Sequence, residues 1–157
     1  MSWSSKSVDF ITLFTEDLER SKAFYQDVFG LRLIFEDENS AVFRFANTSI
    51  NVLRADAAAQ LVSPGAVADR NAGARLVFTI GVDDVDAVCA ELAAQGVELL
   101  NGPLNRPWGV RTASFTDPGG HLLGDLPDVT ARIGEVGRAD APWPVQRAVE
   151  EFHSLSG

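Results

Sequence analysis

The sequence has little of what disulfide-stapled, membrane and nucleic-acid-binding proteins require. Cys89 is the single cysteine among 157 residues, which excludes an intramolecular disulfide framework and favours a reducing compartment, the cytoplasm. No segment approaches the roughly 20 consecutive apolar residues of a membrane span, and residues 1–9 lack the apolar run of a signal peptide. Thirteen Lys and Arg against 22 Asp and Glu give a net charge of −9, which argues against nucleic acid as a partner. This acidic charge either favours a cationic ligand or serves only the solubility of the protein, and solubility is the preferred interpretation.

Histidine is scarce as well, which limits metal and acid–base chemistry. The two histidines are His121, in the turn D-P-G-G-H, and His153 near the C-terminus. We interpret His121 as a solvated turn residue, with a shifted metal site of His121 and Asp125 as the alternative, and His153 as a surface residue. Neither has a Cys or Ser partner at a spacing typical of nucleophilic catalysis.

What the sequence does contain is an internal duplication, in a chain whose length and 46% hydrophobic content suit a single globular domain. Residues 8–34 and 75–100 both read as an alternating strand, an acidic turn, an amphipathic helix, a glycine and a second strand. The two units therefore have the same predicted order of elements.

Each predicted helix begins at an aspartate and ends at a glycine. Asp17 and Asp84 are placed to accept the free backbone N–H groups of the first turn, and Gly30 and Gly96 to adopt the left-handed conformation after the last. Cys89 falls on the apolar stripe of the second helix, which predicts a core residue rather than a nucleophile. The predicted helices cover 17–29 and 84–95, and the strands that follow them cover 31–36, 40–46 and 48–54, then 97–101, 109–116 and 120–125.

Two segments lie outside the duplication. Residues 55–74 form an Ala-rich connection too long for a simple turn, a length typical of lids or linkers between modules. Residues 127–157 form a C-terminal extension, in which 145–155 has helical apolar spacing. This helix is expected to dock on its own chain or on a partner chain.

Two motifs carry a family resemblance. The run D-L-x-x-S-x-x-F-Y-x-x-x-x-G begins at Asp17, and D-P-x-G begins at Asp117. With the duplication, this pattern resembles the vicinal oxygen chelate superfamily of glyoxalases, extradiol dioxygenases, and bleomycin and fosfomycin resistance proteins. The resemblance implies an α+β fold, in which two βαβββ modules over 8–54 and 75–126 curl eight strands of a mixed sheet around a concave pocket. It also implies a homodimer.

The resemblance further implies where a divalent metal would be held, at the first and last strands of each module. The residues at those positions are Phe10, Asn51 or Leu53, Val77 and Gly124. At most one weak donor remains, whereas such a site needs about three or four N, O or S ligands. We therefore predict no metal and no other cofactor.

Without metal ligands, the pocket face predicts an apolar small-molecule site with a few polar groups. Trp108 would stack on a planar ligand or serve as a rim aromatic, and Arg111 and Arg44 would hold a carboxylate or form salt bridges on the strand face. Trp143 would cover the pocket mouth or anchor the tail, and Trp3 would anchor the N-terminus. The predicted pocket residues are Phe10, Thr12, Phe14, Arg44, Asn51, Val77, Thr79, Trp108, Arg111 and Gly124.

Three functions are compatible with these residues. The first is a metal-independent protein of the bleomycin-resistance type that sequesters a hydrophobic or aromatic, antibiotic-like ligand. The second is a glyoxalase-like lyase, isomerase or dioxygenase acting on a small oxygenated metabolite. The third is a scaffold whose pocket face is filled by its own side chains. The expected partners are a small molecule and a second copy of the chain, with no nucleic acid and no membrane.

Overall fold

The computed structural model describes residues 2–107 and 110–127, with side chains described as far as residue 124. Trp108, the side chain of Asp125, Trp143, His153 and the predicted helix 145–155 lie outside the described residues. A short 3-10 turn, Trp3–Ser5, precedes the regular elements. These elements are β1 (Phe10–Thr15), α1 (Leu18–Ala23), β2 (Arg32–Glu36), β3 (Ser40–Arg44), β4 (Ser49–Arg54), α2 (Ala55–Val62), β5 (Val77–Val82), α3 (Val85–Ala94), β6 (Leu99–Asn105), β7 (Arg111–Thr116) and β8 (Leu122–Pro127).

The strands form two four-stranded sheets with the same order. The first sheet has the order β1-β4-β3-β2 and the second the order β5-β8-β7-β6. In the first sheet β1 is parallel to β4, with Thr12 opposite Asn51, while β3 is antiparallel to both β4 and β2. In the second sheet β6 and β7 are antiparallel. The predicted α+β class and the duplicated order of elements are confirmed.

The chain divides into two compact units. The first consists of Met1–Leu76 and Thr116–Leu122, and the second of Val77–Phe115 and the residues from Leu123 onward. The core of the first unit lies on one face of its sheet, where Leu13, Phe43 and Val52 are at most 2% exposed. Since successive side chains of a strand point to opposite faces, Thr12 and Asn51 emerge on the other face.

The first helix follows its prediction at both ends and departs from it in the middle. The Asp17 carboxylate accepts a hydrogen bond of 3.0 Å from the Arg20 backbone N–H, and Gly30 has a φ of +62°. Instead of one α-helix over 17–29, α1 continues into a π-helical turn, Phe24–Val28. The five-residue spacing of that turn brings the rings of Phe24 and Phe29 to a centroid distance of 5.2 Å.

The helix of the second unit is also capped as predicted. The Asp84 carboxylate accepts a hydrogen bond of 3.0 Å from the Ala87 backbone N–H, and Gly96 has a φ of +77°. Cys89 is 6% exposed and packs in a cluster with Val85 and Ala113. Its prediction as a core residue is confirmed.

Two features of the structure differ from the sequence analysis. The Ala-rich connection 55–74 begins with a helix, α2, because alanine has the highest helix propensity and Ala58 is fully buried. Trp3 is 80% exposed, so its prediction as an N-terminal anchor is wrong. Within residues 2–107 and 110–127, no helix has the length and apolar character to cross a membrane.

Candidate functional site

A cavity of about 310 Å³ lies wholly within the first unit. Strand β1, the loop 66–76 and the segment 119–122 line it. Most of the lining is apolar or small, and it includes Phe14, Val67, Leu76 and Leu122. The polar side chains of the lining are those of Thr12, Asp69, Arg70, Arg75 and His121.

The turn between β7 and β8 is built by the D-P-G-G segment. The Gly120 N–H donates a hydrogen bond of 3.0 Å to the Asp117 carbonyl, with Pro118 at the second position, where its fixed φ suits a β-turn. Gly120 has a φ of +86°, and a Cβ atom there would lie 2.9 Å from the Arg70 carbonyl oxygen. Glycine at this position therefore lets the loop 66–76 approach the turn closely enough to enclose the cavity.

The Asp117 carboxylate is buried at this turn, with 1% of its side chain exposed. Its Oδ2 accepts a hydrogen bond of 2.6 Å from the Tyr25 hydroxyl. Its Oδ1 accepts one of 2.8 Å from the His121 backbone N–H, and the His121 Nδ1 lies 2.9 Å from both carboxylate oxygens. Each oxygen thus has at least two partners, as a buried carboxylate requires.

Tyr25 supplies this hydrogen bond from the π-helical turn of the same unit. The side chain is fully buried, and its ring lies 5.6 Å from that of Phe43. Burial raises the pKa of the Tyr25 hydroxyl far above its usual range, and the charge and hydrogen bond of Asp117 raise it further. The hydroxyl therefore remains protonated and donates to the carboxylate throughout the physiological pH range.

His121 is not the solvated turn residue that the sequence suggested. Its side chain is 18% exposed, and the ring lies so close to Gly119 that a Cβ atom there would be 2.8 Å from Cε1. Because Nδ1 faces an acceptor-only carboxylate, the proton of the neutral ring lies on Nδ1 and leaves the Nε2 lone pair free. Nε2 forms no hydrogen bond with the described residues, and His121 is one of the residues that line the cavity.

The loop 66–76 contributes positive charge to the cavity. Arg70 and Arg75 both line it and are exposed. Neither guanidinium forms an ion pair or a side-chain hydrogen bond with the part of the chain that the structure describes. The Asp69 carboxylate caps the local turn by accepting a hydrogen bond of 2.7 Å from the Asn71 backbone N–H. The Glu16 carboxylate accepts a hydrogen bond of 3.1 Å from the Arg70 backbone N–H.

The sequence analysis did not single out Tyr25, Asp117 or the two arginines as site residues. Tyr25 was part of the run that begins at Asp17, and Asp117 was the first residue of the D-P-x-G motif. The Asp-x-x-x-His spacing across a Pro-Gly turn was the available signal for the hydrogen bond between Asp117 and His121, since such a turn returns the fifth residue towards the first. Arg70 within the Ala-rich connection and Arg75 directly after it were the signal for the loop.

The predicted pocket residues of the first unit are distributed over one sheet face. Thr12 and Phe14 line the cavity. Asn51 lies in register with Thr12, and its Oδ1 is buried without a hydrogen-bond partner among the described residues. Phe10, at the start of β1, is 56% exposed. The Arg44 guanidinium donates a hydrogen bond of 3.1 Å to the Ser49 hydroxyl.

The other predicted pocket residues belong to the second unit, except Trp108, which lies outside the described residues. Val77 and Thr79 are exposed on β5, and Gly124 lies on β8. Arg111 forms a bidentate salt bridge with Asp86, both N–O distances being 2.7 Å. Their hydrogen bond, reinforced by the opposite charges, lowers the pKa of Asp86 and raises that of Arg111. Arg111 therefore forms a salt bridge, as in one alternative that the sequence left open, but its partner lies on α3 rather than on the strand face.

The residues present do not fit a metal site of the kind that the family resemblance implies. Phe10 and Val77 offer no donor atom, Gly124 has no side chain, and the Asn51 amide oxygen is a single weak ligand. Among the residues that the structure describes, no three His, Cys, Asp or Glu side chains converge as metal ligands.

Comparisons with known proteins agree with this architecture. The sequence profile of the Glyoxalase/Bleomycin resistance protein/Dioxygenase superfamily matches residues 7–124. Metallothiol transferase FosB from Lysinibacillus sphaericus (strain C3-41) is 28% identical over 122 residues, which cover 74% of this chain and 78% of FosB.

Two solved structures are similar over most of the chain. A glyoxalase/bleomycin resistance protein/dioxygenase from Nocardioides has a TM-score of 0.72 at 22% identity, over 82% of this chain and 87% of its own. TnmS3, an antibiotic binding protein from Streptomyces sp. CB03234, has a TM-score of 0.61 at 26% identity, over 81% and 99% of the two chains.

Proposed function

Because the chain belongs to the glyoxalase/bleomycin resistance protein/dioxygenase superfamily, we propose that it binds a small hydrophobic or aromatic molecule of antibiotic type, without a metal ion. The observation that carries the proposal is the cavity of the first unit, whose apolar walls and few oriented polar groups are typical of small-molecule sites. The similarity to TnmS3, which is an antibiotic binding protein, supports the same function.

The size of the cavity limits the ligand. Its volume of about 310 Å³ lies at the lower end of the range of small-molecule pockets, which run from about 300 to 1,000 Å³. A molecule of one or two rings fits such a volume, with Phe14 and Leu76 contributing apolar contact. Such a ligand gains affinity mainly from apolar burial, at about 25 cal/mol per Å².

The charge of the lining argues for a neutral or anionic ligand. Arg70 and Arg75 line the cavity, against Asp69 as the acidic side chain of the described lining. The local charge is therefore opposite to the net charge of −9 of the whole chain. Since interactions between charges weaken over about 10 Å in salt, the arginines at the cavity outweigh the distant acidic surface. A cationic ligand, which the composition left as one alternative, suits this cavity poorly.

The chemistry of the implied ligand positions supports binding without a metal. Phe10, Val77 and Gly124 supply no donor atoms, so the chain retains none of the His or Glu ligands that the resemblance implies. A metal-dependent lyase or transferase is the second candidate function, and the FosB similarity is the observation in its favour. Elemental analysis of the purified protein separates the two: we expect well under one Zn, Mn, Ni or Fe per chain, whereas about one per chain would support the enzyme.

The binding proposal is tested with a neutral planar probe, 4-nitroanisole, by isothermal titration calorimetry. Ala68 and Ala72 line the cavity, so Ala68→Trp and Ala72→Trp add a bulky indole at its wall. We expect each substitution to weaken binding by about tenfold or more. The matched control is Ala59→Trp, which adds the same side chain at an exposed position of α2 outside the lining.

Two outcomes would count against the proposal. One is the absence of binding by the unmodified protein to 4-nitroanisole and to a panel of one- and two-ring aromatic antibiotics. The other is binding that survives both cavity-filling substitutions. Native mass spectrometry of the freshly purified protein provides an independent check, because a co-purified molecule of suitable mass would identify the ligand directly.

Two further proposals concern the setting of the protein. We propose a homodimer, which the resemblance implies, and a reducing compartment such as the cytoplasm, which the single cysteine favours. Neither is needed for ligand binding in the cavity, because its lining comes from one unit of one chain.

A further inference from the structure

The imidazole of His121 is held in one orientation and one tautomer at the cavity wall. Its Nδ1–H points between the two oxygens of a carboxylate that is itself 1% exposed and bonded to the Tyr25 hydroxyl. A buried carboxylate behind a histidine stabilises the positive charge that the ring acquires when Nε2 takes a proton. His121 Nε2 is thus a proton acceptor whose ring is already oriented by Asp117 and Tyr25.

We propose that His121 Nε2 accepts a hydrogen bond and a proton from an acidic hydroxyl group of the ligand, so that the cavity selects a phenol or an enol. This inference rests on the proposed function, because it requires that a small aromatic molecule enters the cavity. His121 is the group that touches the ligand, while Asp117 and Tyr25 are positioning residues that act through it.

The charged groups around His121 favour this ligand class over others. Asp117 stabilises the imidazolium from behind the ring, and the neutral Tyr25 hydroxyl stabilises Asp117. Arg70 and Arg75 line the same cavity from the loop and favour the oxyanion that remains on the ligand. Asp69 also lines the cavity, and its carboxylate is engaged by the Asn71 N–H. Glu16 bonds the Arg70 backbone N–H from the chain segment after β1.

The proton transfer is balanced without any further reagent. The O–H bond of the ligand breaks, an N–H bond forms at Nε2, and the electron pair stays on the ligand oxygen. An ionised carboxylic acid has no proton to give and would engage only the arginines. An ammonium group could donate to Nε2, but Arg70 and Arg75 oppose a second cation in the cavity.

The test compares 4-nitrophenol with 4-nitroanisole, which has the same ring and no hydroxyl proton. We expect the unmodified protein to bind 4-nitrophenol about tenfold more tightly or better, the scale of one hydrogen bond to a charge-forming group. The bound compound should also show the visible absorption of the nitrophenolate at a pH where the free compound is still largely protonated. His121→Gln should abolish both the preference and the phenolate spectrum.

The controls separate this inference from the proposed function. His153→Gln replaces the only other histidine and should preserve the preference. If 4-nitroanisole binds but the preference is absent, or persists in His121→Gln, the role of His121 is overturned while the proposed function stands. If neither compound binds, both fail together.

A measurement without ligand tests the geometry itself. Nitrogen chemical shifts of the labelled His121 ring show which nitrogen carries the proton, and the geometry predicts Nδ1. Asp117→Asn should shift the population towards the other tautomer and reduce the preference for 4-nitrophenol. A protonated Nε2 in the unmodified protein would overturn the inference, since that nitrogen could not accept a proton.

Discussion

The hydroxyl of Tyr25 offers a sharp test of the buried hydrogen-bond network, because Tyr25 is the only tyrosine of the chain. The perturbation is Tyr25→Phe, which removes one oxygen and keeps the ring that packs against Phe24, Phe29 and Phe43. Any change in the free energy of unfolding therefore reports the hydrogen bond of 2.6 Å to Asp117 rather than lost packing.

The magnitude at neutral pH follows from the charge and burial of the acceptor. The Asp117 side chain is 1% exposed, so water cannot replace the lost donor. Hydrogen bonds to charged groups contribute about 1.5–3 kcal/mol, and we expect Tyr25→Phe to lower the free energy of unfolding by that amount.

At alkaline pH the Tyr25 hydroxyl makes the free energy of unfolding decrease as the pH rises. The folded state raises the pKa of Tyr25, whereas the unfolded chain loses this proton near the ordinary value of about 10. The contribution of the protonated hydroxyl is therefore complete below about pH 10 and is lost above it, at about 1.4 kcal/mol per pH unit. Tyr25→Phe lacks this loss, so the difference between the two proteins should shrink by about 1 kcal/mol between about pH 10 and 11.

Urea denaturation followed by circular dichroism, repeated from neutral pH to about pH 11, measures this difference. Difference absorbance of tyrosinate provides the second readout, and it should increase only when the protein unfolds. Ionisation of the tyrosine in the folded protein near its ordinary pKa would refute the reasoning, as would equal free energies of unfolding for the two proteins at neutral pH.

Two further predictions concern the backbone and the assembly. Gly102→Ala should lower the free energy of unfolding by at least about 3 kcal/mol, since φ is +88° and a Cβ atom would lie 2.6 Å from the Thr112 carbonyl oxygen. Gly30→Ala, at a φ of +62° with no neighbouring heavy atom within 4 Å, should lower it by only about 1 kcal/mol, and equal losses by thermal denaturation would contradict the steric argument. In sedimentation velocity at tens of micromolar we expect a dimer, because the predicted helix 145–155 has an apolar stripe that a two-fold contact would bury, and a monomer would contradict this.

Features that depend on nearby residues could be predicted from the sequence. Asp17 and Asp84 cap their helices because a carboxylate reaches backbone N–H groups three residues later, and Gly30 and Gly96 end them because only a residue without Cβ adopts positive φ at low cost. The duplication predicted that both units would have the same order of elements along the chain. Apolar alternation likewise predicted Thr12 and Phe14 for the face of β1 that lines the cavity.

Other features were missed because they depend on details of packing. The sequence predicted one helix over 17–29, while the structure has a π-helical turn at which the rings of Phe24, Tyr25 and Phe29 pack together. The connection 55–74 was predicted to be a lid or a linker from its length alone. Its length could not show that its second half would form a cavity wall.

The sequence by itself determined the fold class, the order of elements in the two modules and the lack of donor atoms at the implied metal positions. Periodicity, helix caps and residue identity are local properties, so no tertiary contact is needed to read them. Only the tertiary structure decided the site. The Tyr25 hydroxyl and Asp117 are 92 residues apart in the chain, and nothing in either local pattern specifies that they share a hydrogen bond. Burial then gives that bond its strength and orients His121 towards the cavity, since a carboxylate removed from water must satisfy its oxygens with whichever donors the fold brings to it.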